Sequence, residues 1–207
     1  MFSSDDLSSL RWDTVSGAVE IIDQTLLPHT LHWVHLDSLE AYCHAISVMH
    51  APLIGITAAF GLAHAVAENP SDTNLVAASA SLMATRPTAV NLRWALETME
   101  RHLCSLVEGD RAVAARQQAI AMRQADIDNC ALIGENGLGL LRDIPHGETL
   151  NIMTHCNAGW LATIQWGTAL APIYKAQAAG LPVHVWVSET RPRNQGMNLT
   201  AWELQRA

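Results

Sequence analysis

The chain has 207 residues, 49% of them hydrophobic, enough to bury one good core, or one small domain and part of another. A formal net charge of −8 and the lack of any basic run exclude a general nucleic-acid binder, since nothing neutralises a phosphate backbone, although local anion binding stays open. The N-terminus, MFSSDDLSSL, carries acid where a secretion signal carries base, and the longest apolar stretch, Ala51 to Val66, is broken by glycines and His64 and falls short of the roughly 18 residues of a membrane span. Cys43, Cys104, Cys130 and Cys156 have neither CxxC pairing nor the dense spacing of a disulfide scaffold, so they read as reduced thiols of a cytoplasmic protein.

The first 28 residues read as strands, with RWDTV and AVEIID flanking a two-residue hairpin connection at Ser16-Gly17, and Leu26-Leu27-Pro28 ending the run. Asp37, Ser38, Leu39 and Glu40 form a capping-box-like start for a helix to about Met49, with Leu39, Cys43, Ile46 and Met49 on one face. His50-Ala51-Pro52 interrupts it. Pro52 suits the first turn of a second helix whose buried stripe is Ile54, Ala58, Leu62 and Val66, broken by Glu68-Asn69-Pro70-Ser71. Further helices are predicted over 72–84, 88–107 and 111–136, with Gly109 and Gly137 marking ends.

After Pro145 the period changes. TLNIMTHC is strand-like, 159–179 is an Ala- and Leu-rich helix closed by Gly180, PVHVWVSET is a second strand, and Leu199 to Arg206 starts another helix. That is a βαβ unit, which needs parallel strands and normally sits in a larger sheet. The predicted organisation is therefore α/β: a small N-terminal strand-plus-helix domain over 1–146, and over 147–207 the beginning of a Rossmann-like parallel-sheet domain, incomplete unless another chain supplies the rest.

The stretch MTHCNAG, 153–159, is the most informative. It puts Cys156 after an apolar run and before a predicted helix, where a parallel sheet presents reactive groups, and Asn157, Ala158 and Gly159 let the backbone bend there. A cysteine at a helix start has a lowered pKa. The spacing alone leaves open a reactive thiol or a buried, inert cysteine at a strand end. His155 points to the opposite strand face and reads as a packing or surface group. The ten histidines show no HExxH or other close ligand spacing, so no metal is expected, and the tryptophans read as core or interface. Gly134, Gly137 and Gly139 follow a helical pattern and not a strand, the opposite of a dinucleotide-binding context.

IIDQTLLP at 21–28, APLIGITAAFG at 51–61, TRPTAVNLRWAL at 85–96, MTHCNAG at 153–159 and ETRPRNQG at 189–196 occur in this order, and together they resemble the methylthioribose-1-phosphate isomerases of methionine salvage, relatives of the regulatory alpha, beta and delta subunits of the initiation factor exchange complex. The resemblance covers nearly the whole chain, and HCNAG with ETRPRNQG favours the isomerase branch. It implies a two-domain fold, no metal or redox cofactor, and an aldose–ketose isomerisation, formally an intramolecular oxidoreduction, of 5-methylthioribose 1-phosphate to 5-methylthioribulose 1-phosphate. Cys156 matches the family's functional cysteine, which shares acid–base work near the sugar C1 and C2. The second catalytic group of the family is an aspartate followed by an Asn-Lys pair, and these correspond to positions beyond Ala207.

The resemblance also implies the substrate-binding residues. Arg86 in TRPTAVN matches a phosphate-binding arginine, whose guanidinium fork suits a dianion; without the resemblance it reads as a surface arginine capping a loop. A second arginine belongs to an Arg-Gly-Ala-Pro turn of the family, where this chain reads Met49-His50-Ala51-Pro52. Losing one charge-assisted contact costs about 1.5 to 3 kcal/mol, about ten- to a hundredfold in affinity, and His50 compensates only when protonated. Gln195 matches a contact to sugar hydroxyls, or is an ordinary loop amide, and Ser188 replaces an acid before ETRP. Arg191 and Arg193 beside Glu189 read as ordering the loop after the second strand.

The expected partners are a phosphorylated pentose and either a second copy of the chain or a missing C-terminal half; nucleic acid and membrane are not among them. The resemblance leaves the 5-substituent open, with 5-deoxyribose 1-phosphate the alternative substrate. The expected function is thus isomerase-like, inactive as this chain alone, with a nonfunctional remnant or a regulatory, partner-binding protein as alternatives.

Overall fold

A computed structural model describes residues 7–13, 16–49, 51–145 and 147–207, together with the backbone but not the side chains of residues 51 and 52. The chain divides into two compact units that interleave along the sequence: one comprises 10–23 and 32–125, the other 7–9, 24–31 and 126–207.

The first unit opens with a three-stranded antiparallel sheet: β1 (Leu10–Trp12), β2 (Val19–Ile22) and β3 (Trp33–Leu36), in the order β1-β2-β3. Leu10 faces Ile21 and Val19 faces Leu36, and all four are buried. The β1–β2 connection is longer than the Ser16-Gly17 hairpin expected. It runs from Asp13 to Ala18, where the Asp13 amide donates to the Ala18 carbonyl at 2.9 Å and the Asp13 carboxylate accepts the Ser16 amide at 2.8 Å. The sequence reading also lacked β3, a four-residue strand that needs β2 beside it.

Four helices follow. α1 (Leu39–Val48) is capped by Ser38, within the predicted start Asp37 to Glu40, and the Ser38 hydroxyl accepts the Ala41 amide at 3.2 Å. α2 (Ala51–Glu68) buries the predicted stripe of Ile54, Ala58, Leu62 and Val66, and also Leu53, Ile56, Ala59, Phe60 and Ala63, because it is packed by α1, by α3 (Asp72–Thr85) and by α4 (Val90–Leu103). α4 is amphipathic, with Leu92, Ala95, Leu96, Met99 and Leu103 buried at helical spacing. It is shorter at both ends than the 88–107 predicted.

α5 runs from Glu108 to Asp143, past both predicted boundaries, and contributes its first half to one unit and its second half to the other. Gly137 does not end it. A β-carbon there would collide with the Pro172 ring, so the glycine serves close packing of the helix that begins at Ala171.

The second unit contains two parallel strands, β4 (Leu150–His155) and β5 (Val183–Ser188), in register from Leu150 opposite Val183 to His155 opposite Ser188. The predicted helix over 159–179 is largely absent. In its place are a 3-10 turn at Trp160–Ala162, an irregular stretch, and α6 (Ala171–Ala178), closed by Gly180 at φ +80°. Side chains satisfy the backbone of 161–167, which is why no helix is needed there. Gln24 donates to the Leu161 carbonyl at 2.5 Å, the Ser9 hydroxyl to the Thr163 carbonyl, and Asp126 accepts the Ile164 amide at 3.1 Å. Thr163 Oγ1 donates to the Gln165 carbonyl at 2.8 Å and accepts the Gly167 amide at 3.1 Å. After β5 come a 3-10 turn at Pro192–Asn194, a π-helical turn at Gly196–Ala201 and α7 (Trp202–Leu204), in place of the helix expected over 199–206. The fold is mixed α/β, with the parallel pair following the N-terminal strands and helices.

Candidate functional site

Cys156 and Glu189 are the first residues past the paired ends of β4 and β5, at the carboxyl edge of parallel strands. Cys156 has φ 63°, an uncommon left-handed conformation for a residue with a β-carbon, and the residue is exposed. No α-helix begins there, contrary to the sequence expectation. Asn157 and Ala158 lead instead into the 3-10 turn at Trp160–Ala162. Cys130, by contrast, is buried, and burial pushes its thiol up to about 11, so it stays protonated; burial likewise raises Cys43.

Three side chains hold the Cys156 turn. The Thr200 hydroxyl donates to the Cys156 carbonyl at 3.0 Å. The Asn157 amide donates to the Thr200 oxygen at 3.2 Å and to Glu203 Oε1 at 2.7 Å. The Leu161 amide donates to Glu203 Oε2 at 3.1 Å. Glu203 is fully buried. Desolvation raises its carboxyl to about 8, against the opposing pull of the amides that donate to it. Burial, and then the neighbouring Glu203 charge, raise Tyr174 well above the usual phenol value. Sequence reasoning missed Asn157, Thr200, Tyr174 and Glu203 as a group. The signal was an acid in the apolar run LTAWEL, where a charge needs partners.

The loop after β5 is organised by Glu189. Its Oε1 accepts the Thr190 amide at 2.8 Å and the Gly196 amide at 2.6 Å, and its Oε2 accepts the Met197 amide at 3.1 Å. These amides, Thr190 first, hold the carboxyl below the usual range. Gln195 is half-buried, between the 3-10 turn and the π-helical turn, and immediately precedes one of the amides Glu189 binds. His155 Nδ1 and the Ser188 hydroxyl lie 2.8 Å apart, joining the strand ends across the exposed face.

Arg86 belongs to the other unit. It caps the C-terminus of α3 and donates from Nη1 to the Met49 carbonyl at 3.2 Å, which brings it to the α1–α2 junction. His50, the next residue, lies outside the described residues, as does the side chain of Ala51. Cys156 and Gln195 belong to the second unit. Among the described residues, no three His, Cys, Asp or Glu side chains gather as metal ligands, and no helix is long and apolar enough to cross a membrane.

Comparison with known proteins gives this geometry a context. The methylthioribose-1-phosphate isomerase of Dechloromonas aromatica (strain RCB) is 58% identical over 202 residues, covering 95% of this chain and 56% of that protein. That of Rhodospirillum rubrum is 55% identical over 199 residues, covering 91% and 51%. The chain thus spans about half the length of the curated relatives it matches. Among solved structures, 5-methylthioribose 1-phosphate isomerase from Pyrococcus horikoshii OT3 superposes with a TM-score of 0.84 at 30% identity, covering 99% of this chain and 60% of that one. The delta subunit of translation initiation factor eIF-2B from A. fulgidus superposes with a TM-score of 0.82 at 32% identity, covering 96% and 59%. The initiation factor 2 subunit family matches residues 47–207, and the chain belongs to that family.

Proposed function

We propose that this chain provides the cysteine-bearing part of a methylthioribose-1-phosphate isomerase, converting an aldose 1-phosphate to the ketose. The observation that carries the reading is the exposed Cys156 thiol, in a left-handed turn at the carboxyl end of β4. The relatives that are more than half identical and bear the isomerase name support it. In the reaction, hydrogen leaves C2 and arrives at C1. C2 goes from alcohol to ketone and C1 falls by the same oxidation level, so the sugar supplies both redox halves. A thiol beside these carbons takes or gives the proton, and a second acid–base group does the complementary step.

In this reading Arg86 pairs with the phosphate dianion through its fork, and Gln195 bonds sugar hydroxyls from the loop that Glu189 orders. The second acid–base group comes from sequence corresponding to the rest of the relatives' length, within a larger Rossmann-like sheet that β4 and β5 begin. The 207-residue chain alone is then inactive.

The test is ketose formation from 5-methylthioribose 1-phosphate. The 207-residue chain is assayed alone, and mixed with a polypeptide covering the remainder of the Dechloromonas aromatica relative. Turnover only in the mixture is expected. Turnover by the chain alone contradicts the division of the site, and none in either contradicts the isomerase reading.

A further inference from the structure

We propose that Glu203 is a positioning residue for the Cys156 thiol, acting through Asn157 and Thr200 to hold residue 156 in its left-handed turn. The inference rests on Cys156 being the reactive group of the proposed isomerisation, and its geometry is local to one unit. Along β4, Leu150 and Thr154 are buried and Ile152 is half-buried, whereas Asn151, Met153 and His155 are exposed. Strand alternation carried one residue further would put the side chain of Cys156 on the covered face with Thr154. The backbone at φ 63° breaks that alternation, and Cys156 is exposed. Such a conformation persists only where its surroundings over-determine it.

The surroundings that do so are specific. The Thr200 hydroxyl donates to the Cys156 carbonyl, Asn157 bridges Thr200 to Glu203, and the second Glu203 oxygen accepts the Leu161 amide, pinning both sides of the turn to one buried carboxyl group. The groups facing that carboxyl are Asn157 and the Trp160 and Leu161 amides from the turn, Tyr174 from α6 and Thr200, through Asn157, from the π-helical turn. One Glu203 oxygen thus holds the residue directly after the cysteine, and the other holds the 3-10 turn that follows it.

The test reads thiol placement without substrate, so it fails or succeeds independently of isomerase activity. Iodoacetamide alkylation of Cys156 is timed in the folded 207-residue chain, with the exposed Cys104 as internal reference. Thr200→Val, Thr200→Ser and Glu203→Gln are compared with the parent, each shown to be folded by its cooperative thermal transition. Loss of one such hydrogen bond changes the ratio of the two conformers about fivefold, which sets the upper bound on the loss of the exposed one. Cys156 alkylation should therefore slow relative to Cys104, by up to about fivefold, in Thr200→Val and in Glu203→Gln, and Thr200→Ser should retain the parent ratio. Unchanged ratios in the folded variants would overturn the proposal, as would a Thr200→Ser variant as slow as Thr200→Val. If Glu203→Gln does not fold, the Thr200 pair decides.

Discussion

The carboxylate of Glu203 occupies the space that a β-carbon on residue 159 would need, so Gly159 and Glu203 fit together only because one of them has no side chain. The contact lies directly behind the Cys156 turn, and it accounts for the last residue of the MTHCNAG stretch by packing. Gly159→Ala is expected to destabilise the chain by about 1–3 kcal/mol, because a fully buried carboxyl group with amides on both oxygens has nowhere to move. Chemical denaturation measures it; a variant of parent stability would show that the turn and Glu203 are not locked together.

Glu203 also gives stability a pH dependence of definite sign. Its folded-state carboxyl, about 8, lies above the ordinary 4.5, so between these values the folded chain binds a proton that the unfolded chain has released. Stability therefore falls as pH rises from about 4.5 to about 8. The loss is on the order of 5 kcal/mol, complete above the folded value. Glu203→Gln should flatten the stability–pH curve over this window, as read by urea unfolding at a series of pH values.

The opposite sign applies to Glu189. Its carboxyl is lowered by the amides it accepts, so its contribution is present above the ordinary carboxylate value and is lost as pH falls through the lowered one. In Glu189→Gln, hydrogen exchange at the Gly196 and Met197 amides should quicken while the β4 amides keep their protection. Equal protection in both proteins would mean that the loop carrying Gln195 is ordered by something else.

In the first unit, the Arg111 guanidinium reaches three carbonyls, those of Leu103 at 3.1 Å, Leu106 at 3.2 Å and Pro70 at 2.8 Å, and pairs with Asp72 at 2.6 Å. It ties the end of α4 to the start of α3, and its side chain is buried. Arg111→Met strands those acceptors and should cost about 2–4 kcal/mol in thermal or urea unfolding, far more than Asp72→Asn, whose carboxylate is exposed.

Local chemistry was legible in the sequence and partnership was not. The stripe Ile54, Ala58, Leu62 and Val66 marks α2, and the apolar runs around 150–155 and 183–188 mark β4 and β5, because each signal lies within one element. The helix expected over 159–179 failed because Ala and Leu content does not reveal that Ser9, Gln24 and Asp126 satisfy the backbone of 161–164, more than thirty residues away in sequence. Gly137 marks no helix end, because a glycine's role in helix packing depends on what faces it, here Pro172. The Cys156 turn could be placed from the residues that follow the strand. Its clamp could not, since Asn157 and Glu203 are 46 residues apart and neither belongs to a spacing pattern.

The most direct measurement is the rate of ketose formation from 5-methylthioribose 1-phosphate by the 207-residue chain mixed with the complementary part of the Dechloromonas aromatica relative, comparing the parent with Cys156→Ser. A positioned acid–base group contributes about 100- to 10,000-fold, so the substituted mixture should lose at least about 100-fold in rate while Cys104→Ser loses nothing. Equal rates for the parent and Cys156→Ser would contradict the account.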